Sequence, residues 1–249
     1  MIVFSLGILI CDHLHPDLQP EHGDYPRMFD NLFEPFGKHV DIRYYFVIDN
    51  EFPKSIQDCD AYMTSGSKSS VNDNTQWIVR LEDFIRKLYQ ANIPFVGICF
   101  GHQLIAKALG GKVEKSDKGW GIGVYSSKIV ESKKWMSDAL KAIELVVSHQ
   151  DQISKLPEES KVLASSNFCP FSMIQVGKCF VGIQGHPEFS KSYSADLMEL
   201  RKNIIPQKTR QVGLISLGKK INTRIVAHCI INFIENVLAH YKEPSSGNR

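Results

Sequence analysis

Short apolar runs alternate with amphipathic stretches along the chain, and this alternation predicts the fold class. Strand-like apolar runs cover 2–10, 40–47, 61–64, 93–98 and 179–183. Helical periodicity of apolar residues covers 26–36, 74–90, 103–109, 194–210 and 224–241. Strands that alternate with helices form a mostly parallel sheet covered by helices on both faces. We therefore predict an α/β protein with a mostly parallel central sheet.

The stretch 112–130 departs from this pattern. Its alternating residues and glycine-rich turns are typical of a β-hairpin region, which predicts a small antiparallel annex to the sheet. The 249 residues contain no internal repeat and no linker long enough to separate two domains. We predict one domain over 1–242 and a polar tail over 243–249.

Composition and charge exclude several classes of protein. The hydrophobic fraction of 43% and the charged fraction of 22% are ordinary for a soluble protein, and a net charge of +2 gives no strong attraction to nucleic acid or anionic membranes. No apolar run approaches the ~20 residues needed to cross a bilayer, and the start of the chain lacks the features of a secretion signal. The six cysteines form no C-x-x-C pair, which favours a reducing compartment. We expect a cytoplasmic protein.

Cys99 lies where an apolar strand, 93–98, turns sharply into a helix. Gly97 and Gly101 flank it in a G-x-C-x-G pattern, and such a bend needs small neighbours because the backbone segments approach closely. The positive end of the following helix favours the thiolate form of the side chain. The pattern predicts a nucleophile, and the alternative is a small buried cysteine that serves packing alone.

His186 and Glu188 follow the apolar run 179–183 and provide a base with a carboxylate to orient it. A thiol nucleophile needs an imidazole that takes its proton and later protonates the leaving amine, and a carboxylate holds that imidazole in one tautomer. Two residues apart at a strand end, the two side chains can point the same way. The alternative is an ordinary surface turn. His102 is a second candidate base, but we expect it to point away from Cys99 and to be structural.

The motifs G-I-C-F-G-H-Q at 97–103 and G-H-P-E-F at 185–189 together resemble those of the class I glutamine amidotransferases. The segment 63–73 resembles the S-G-G-P-x-S loop of that family, with Ser65 in place of a glycine and Ser67 in place of the proline. The segment 147–151, V-S-H-Q-D, resembles the S-H-x-D segment. The best resemblance is to stand-alone proteins similar to the amidotransferase domain of GMP synthetase, a branch that also includes γ-glutamyl peptidases.

The resemblance implies a role for each matched residue. Cys99, His186 and Glu188 are the expected catalytic residues, and a small γ-glutamyl compound such as glutamine is the expected substrate, hydrolysed through a γ-glutamyl thioester on Cys99 without a cofactor. The expected oxyanion hole consists of the backbone N–H groups of Gly66 and Phe100. The expected substrate contacts are Gln103, Ser148 and His149. Two structural alternatives remain: a flexible turn at 67–70, and a helix-capping role for Gln103.

Three histidines lie among carboxylates in 11–30, namely His13, His15 and His22. Their spacing lacks the i, i+4 pattern or the Cys/His pairing that makes a zinc site specific, so we predict no metal. A loop that faces the substrate is the better interpretation, because ligands of open α/β sheets bind beyond the carboxyl ends of the strands.

Three functions remain open at this point. The first is a glutaminase that delivers ammonia to a synthetase; because the chain has no S-G-G-V-D-S-like loop and no G-x-x-x-x-G-K-[ST] motif, that partner would be a separate subunit. The second is a free-standing hydrolase of γ-glutamyl peptides or conjugates. The third is a non-catalytic binding protein on the same scaffold, which the complete set of Cys99, His186 and Glu188 disfavours.

Overall fold

A computed structural model describes residues 3–137 and 140–242, with the side chains of 241 and 242 left aside, and the predicted tail 243–249 lies outside the described residues. The α/β fold is confirmed. The strands are β1 Phe4–Leu9, β2 Val40–Tyr45, β3 Ala61–Thr64, β4 Phe95–Ile98, β5 Lys112–Lys115, β6 Gly121–Ile129, β7 Ala142–His149, β8 Asp151–Lys155, β9 Ser160–Ser165, β10 Met173–Val176 and β11 Phe180–Ile183. The α-helices are α1 Gln19–His22, α2 Tyr25–Phe33, α3 Gln76–Gln90, α4 Phe100–Ala108, α5 Lys191–Leu200, α6 Gln207–Ser216 and α7 Thr223–Lys242, with 3₁₀ turns at Glu34–His39 and Val47–Asp49.

Nine strands form one mixed sheet in the order β2-β1-β3-β4-β11-β10-β9-β6-β7. The pairs from β2 to β11 are parallel, and those from β11 to β7 are antiparallel. All four residues of β4 are buried, as expected for a central strand covered on both faces. The periodic apolar stripe of α3 is likewise buried, including Trp77, Leu81 and Leu88.

Two details of the predicted secondary structure are wrong. The stretch 112–130 is not a hairpin, because β5 pairs with β8 in a separate two-stranded sheet while β6 joins the main sheet beside β7 and β9. The closing helix predicted over 194–210 is two helices, α5 and α6, with Pro206 at the N-cap of the second. Proline lacks a backbone N–H and clashes with the preceding turn, so one helix cannot continue through it.

The parallel strands β3, β4 and β11 end side by side. Gly97 of β4 is in register with Thr64 of β3 and with Gly182 of β11. The segments that leave these strands therefore meet at one sheet edge, and they carry Gly66, Cys99 and His186. Among the described helices, none is long and apolar enough to cross a membrane.

Candidate active site

Cys99 sits at a strained bend between β4 and α4. Its backbone has φ 49° and ψ −92°, a conformation that L-residues with side chains rarely adopt. Both flanking glycines are sterically required, since a Cβ at Gly97 would lie 2.4 Å from the carbonyl carbon of Gly101, and one at Gly101 would lie 1.7 Å from Thr64 Oγ1. The predicted elbow is therefore present, and it points the side chain out of the sheet edge.

A chain of side-chain amides holds the sulfur of Cys99. Gln184 Nε2 donates to Sγ at 3.4 Å, and Gln103 Nε2 lies 3.3 Å from Gln184 Oε1 and 2.7 Å from the carbonyl oxygen of Asp151. Gln103 thus bonds to the start of β8 and does not cap its own helix. Gln184 is missed by the sequence analysis, although its place two residues before His186 suggests a side chain on the same side of the chain.

His186 and Glu188 form a buried pair next to Cys99. Nδ1 of the imidazole lies 2.7 Å from Glu188 Oε1, and the backbone N–H of His186 donates to the carbonyl oxygen of Val146 at 2.8 Å. Burial lowers the pKa of His186, but the negative charges of Glu188 and Cys99 outweigh it and raise the pKa to about 10. The ring is consequently an imidazolium at neutral pH, with its second nitrogen, Nε2, left without a hydrogen-bond partner among the described residues.

An aromatic wall fixes the plane of the imidazole. The Phe189 ring stacks flat on His186, with centroids 3.9 Å apart and an interplanar angle of 4°. Tyr193 in turn meets Phe189 edge-on at 4.6 Å. Because the ring is held by stacking as well as by Glu188, its Nε2 has one direction in which to exchange a proton.

Gly66 and Phe100, the predicted oxyanion-hole residues, both lie beside Cys99. A Cβ at Gly66 would lie 2.6 Å from His186 Cε1 and 3.7 Å from Cys99 Cβ, so the backbone at 66 needs glycine to approach this closely. Phe100 is the first residue of α4, and its N–H has no acceptor within the helix. Ser65, which departs from the family loop, accepts the N–H of Cys11 at 2.8 Å and donates to the Gly66 carbonyl at 2.9 Å. That side chain ties the loop to the end of β1.

Ser148 and His149, the predicted substrate contacts at the end of β7, lie across from the elbow. Ser148 Oγ accepts a hydrogen bond from the Arg201 guanidinium at 3.0 Å. Burial, with the charges of His186 and His102, lowers the pKa of His149 to about 3, so its imidazole is neutral. These positions, with Gln103, surround the same space as Cys99, and their contact with substrate stays a prediction.

Two adjoining clefts open onto the site. The first, the Cys99 cleft, has a volume of about 470 Å³ and is lined by Cys99, Gln103 and His149 among others. The second, the His186 cleft, has a volume of about 500 Å³ and is lined by His186 and by the loop that follows β1. Four residues line both clefts and form their shared boundary: Ser67, Lys68, Ser148 and Arg201.

His102 does not belong to this arrangement. It is fully buried under β11, where a Cβ at Gly182 would lie 2.6 Å from its Nδ1, and it lines neither cleft. Burial lowers its pKa to about 4. The ring is therefore a neutral packing residue.

The histidines of the loop after β1 pair with carboxylates. His13 Nδ1 and Nε2 lie 3.0 Å from Asp24 and 2.8 Å from Asp49, and both His13 and His15 line the His186 cleft, as expected of a substrate-facing loop. His22 pairs with Asp196 at 2.7 Å and, with Glu21, forms the one group of three potential metal ligands among the described residues. That group does not include any residue of the elbow.

The other five cysteines are buried and unpaired, which fits their predicted role in packing. Burial raises the pKa of both Cys169 and Cys179 to about 12, so these two remain thiols. Neither has a left-handed backbone or a glycine on each side. The elbow conformation thus distinguishes Cys99 from the remaining cysteines.

Comparisons with known proteins agree with this geometry. The family model for "Glutamine amidotransferase class-I" matches residues 30–203. Gamma-glutamyl peptidase 4 of Arabidopsis thaliana is 33% identical over 185 residues, covering 72% of this chain and 73% of the relative. The glutamine-hydrolysing subunit of GMP synthase from Archaeoglobus fulgidus is 31% identical over 186 residues, covering 74% of this chain and 93% of the relative.

Solved structures share the fold. A glutamine amidotransferase from Thermotoga maritima superposes with a TM-score of 0.73 at 20% identity, covering 96% of this chain and 99% of the other. The resemblance drawn from the motifs is confirmed, including the branch that contains both GMP synthase subunits and γ-glutamyl peptidases.

Proposed function

Because the chain belongs to the class I glutamine amidotransferase family, we propose that it hydrolyses γ-glutamyl amide bonds with Cys99 as the nucleophile. The observation that carries the proposal is the buried His186–Glu188 pair beside a cysteine held at φ 49° on a strand-to-helix bend. A strained elbow and a buried ion pair are both costly to maintain, and a purely structural cysteine needs neither.

In the proposed mechanism, the Cys99 thiolate attacks the γ-carbonyl carbon of the substrate. The carbonyl oxygen becomes an oxyanion that accepts from the N–H groups of Gly66 and Phe100, an interaction worth roughly 3 to 4 kcal/mol per donor in related chemistry. The C–N bond then breaks, and the leaving nitrogen takes the proton from His186 Nε2. The products of this step are a γ-glutamyl thioester and a free amine.

Water completes the reaction. The now neutral His186 removes a proton from a water molecule, which attacks the thioester carbonyl, and the C–S bond breaks to release glutamate and the thiolate. Glu188 keeps the imidazole in one tautomer and stabilises its positive charge throughout. Each proton that His186 donates in the first half is recovered in the second, so the cycle needs no cofactor.

Two versions of this chemistry have support. The relationship to the glutamine-hydrolysing GMP synthase subunit supports a glutaminase whose ammonia passes to a separate synthetase subunit. The relationship to γ-glutamyl peptidases, and a large cleft on the His186 side of the site, support a free-standing hydrolase of γ-glutamyl peptides or conjugates. A non-catalytic binding role leaves the charged His186 and the elbow without a purpose.

Incubation of the pure protein with glutamine and with γ-glutamyl dipeptides tests the proposal, with free glutamate and released amine as readouts. Rapid acid quenching followed by intact mass spectrometry should show one glutamyl group on Cys99. We expect Cys99→Ala to lower kcat by roughly 10³-fold or more while the fold is kept. The matched control is Cys179→Ala, which removes another buried thiol and should retain activity. Full activity in Cys99→Ala would refute the assignment of the nucleophile.

A further inference from the structure

The positions of the two clefts assign the two halves of a γ-glutamyl substrate, given the proposed function. The acyl carbon must reach the Cys99 sulfur, whereas the leaving nitrogen must reach His186, the residue that protonates it. Cys99 lines the first cleft and His186 lines the second. The γ-glutamyl half therefore belongs in the Cys99 cleft and the leaving amine in the His186 cleft.

The His186 cleft is larger than ammonia requires. Its volume of about 500 Å³ is within the range of small-molecule binding pockets. Its apolar lining comes from the loop after β1 and from α2 and α5, and it includes Leu14, Tyr25, Leu197 and Leu200. A leaving group with an apolar side chain would fill this space, whereas glutamine would leave it empty.

The charges of the His186 cleft single out one cation. Lys68 is paired with the buried Asp12 at 2.8 Å, and His13 is paired with Asp24 and Asp49. His15 lies 3.5 Å from Asp17. Each of these cations already has a carboxylate partner.

Arg201, just after α5, is the exception. It makes no ion pair with any carboxylate in the described part of the chain, and its one side-chain hydrogen bond there goes to Ser148 Oγ at 3.0 Å. That bond holds the guanidinium at the shared boundary of the clefts, next to where the scissile amide must lie. A guanidinium carries five N–H donors in a planar fork that matches a carboxylate.

We propose that Arg201 is a specificity-determining residue that binds a carboxylate of the leaving amine. In a γ-glutamyl amino acid, one carbon atom separates the leaving nitrogen from the carboxylate, so this anion lies close to the scissile bond and within the boundary region. The protein then prefers γ-glutamyl compounds whose leaving group is an amino acid with an apolar side chain. Arg201 also approaches Tyr193, which lines the His186 cleft and not the Cys99 cleft.

Three substrates measured with the wild-type protein provide the first test: γ-glutamyl-leucine, γ-glutamyl-leucinamide and glutamine. The first two differ in the carboxylate alone. We expect kcat/KM to be roughly 10- to 100-fold higher for γ-glutamyl-leucine than for its amide, as for a lost hydrogen bond to a charged group. This comparison does not depend on the folding of any variant. Equal values for the two compounds would overturn the proposal.

Arg201→Met provides the second test, with Arg201→Lys as the conservative variant. We expect Arg201→Met to lower kcat/KM roughly 10- to 100-fold for γ-glutamyl-leucine and less than about 3-fold for the amide, and Arg201→Lys to recover part of the loss. Lys202→Met is the matched control, because Lys202 is an exposed cation paired with Glu199 at 2.8 Å, and it should change neither value. Thermal melting verifies that each variant is folded.

Other outcomes separate the possible failures. An equal loss for all three substrates in Arg201→Met would place Arg201 on the α-carboxylate of the γ-glutamyl half and overturn the proposal. Unchanged kinetics in Arg201→Met would overturn it as well. If the wild-type protein cleaves none of the three substrates, the hydrolase function itself fails, and the role of Arg201 fails with it.

Discussion

His186 keeps its positive charge to high pH because Glu188 and Cys99 outweigh the cost of burying it. An imidazolium is the acid that the leaving nitrogen needs, so activity should fall as the pH rises through the pKa of about 10 and the ring becomes neutral. Glu188→Gln preserves the shape of the pair but removes its negative charge. We expect this variant to lower kcat by roughly 10²- to 10⁴-fold and to move the alkaline limb of the kcat/KM profile to lower pH.

The measurement is kcat/KM as a function of pH for wild type, Glu188→Gln and the control Glu199→Gln. Glu199 is an exposed carboxylate near the end of α5, paired with Lys202 and Arg210. Its loss should leave the alkaline limb in place. An unshifted limb in Glu188→Gln would show that this carboxylate does not set the charge of His186.

Residues within short motifs could be predicted from the sequence, whereas partners from distant segments could not. Cys99, Gly101, His186 and Glu188 are identifiable because each carries a local signal, either glycine spacing or a two-residue offset. Arg201 has no such signal. It lies 53 positions from Ser148, and only the packing of α5 beside β7 brings them together.

The junction of β3, β4 and α4 depends on the absence of a side chain at Gly101. A Cβ there would lie 1.7 Å from Thr64 Oγ1 and 2.9 Å from Thr64 Cβ, both within the buried core. Overpacking of this kind typically costs about 1 to 3 kcal/mol, and the shift of α4 that relieves it would displace Cys99. We expect Gly101→Ala to lower both the free energy of unfolding and kcat.

A double-mutant cycle checks this prediction. Thr64→Ala removes the oxygen that the new methyl group would overlap, so Gly101→Ala with Thr64→Ala should be less destabilised than the sum of the single variants, as measured by urea unfolding. Gly218→Ala is the control, because a Cβ there would come no closer than 3.4 Å to the nearest atom. Strict additivity of the two changes would contradict direct overlap as the cause.

Elements with strong periodicity follow from the sequence, and pairing between elements does not. The strand 61–64 and the buried stripe of α3 are specified by local apolar patterns. The partner of β5 is β8, which begins 36 residues further along the chain (151 minus 115), and no local pattern specifies that choice. Pro206 does carry a local signal for the break between α5 and α6, and a single helix over 194–210 neglects it.

For the molecule as a whole, buried histidines predict a stability maximum near neutral pH. The pKa values of His102 and His149 fall to about 4 and about 3, below the 6.5 of an exposed ring, so the stability they contribute is present above pH 6.5 and is lost as the pH falls. The pKa of His186 rises to about 10, so its contribution is present below pH 6.5 and is lost as the pH rises to 10.

Urea unfolding at a series of pH values measures these slopes. Each buried histidine should contribute about 1.4 kcal/mol per pH unit within its window. His149→Gln should reduce the slope between pH 4 and 6 by that amount and leave the slope between pH 7 and 9 unchanged. An identical acid slope in wild type and variant would show that His149 is already protonated in the folded protein.

The two clefts draw their walls from different parts of the chain. The bend at Cys99 is part of the central sheet, whereas one side of the His186 cleft is the loop after β1, held by ion pairs from His13 to Asp24 and Asp49 and from His22 to Asp196. Surface loops tolerate exchange far better than buried strands do. After gene duplication, or in directed evolution, copies of this protein can therefore acquire new preferences through that loop while inheriting the reactive centre intact.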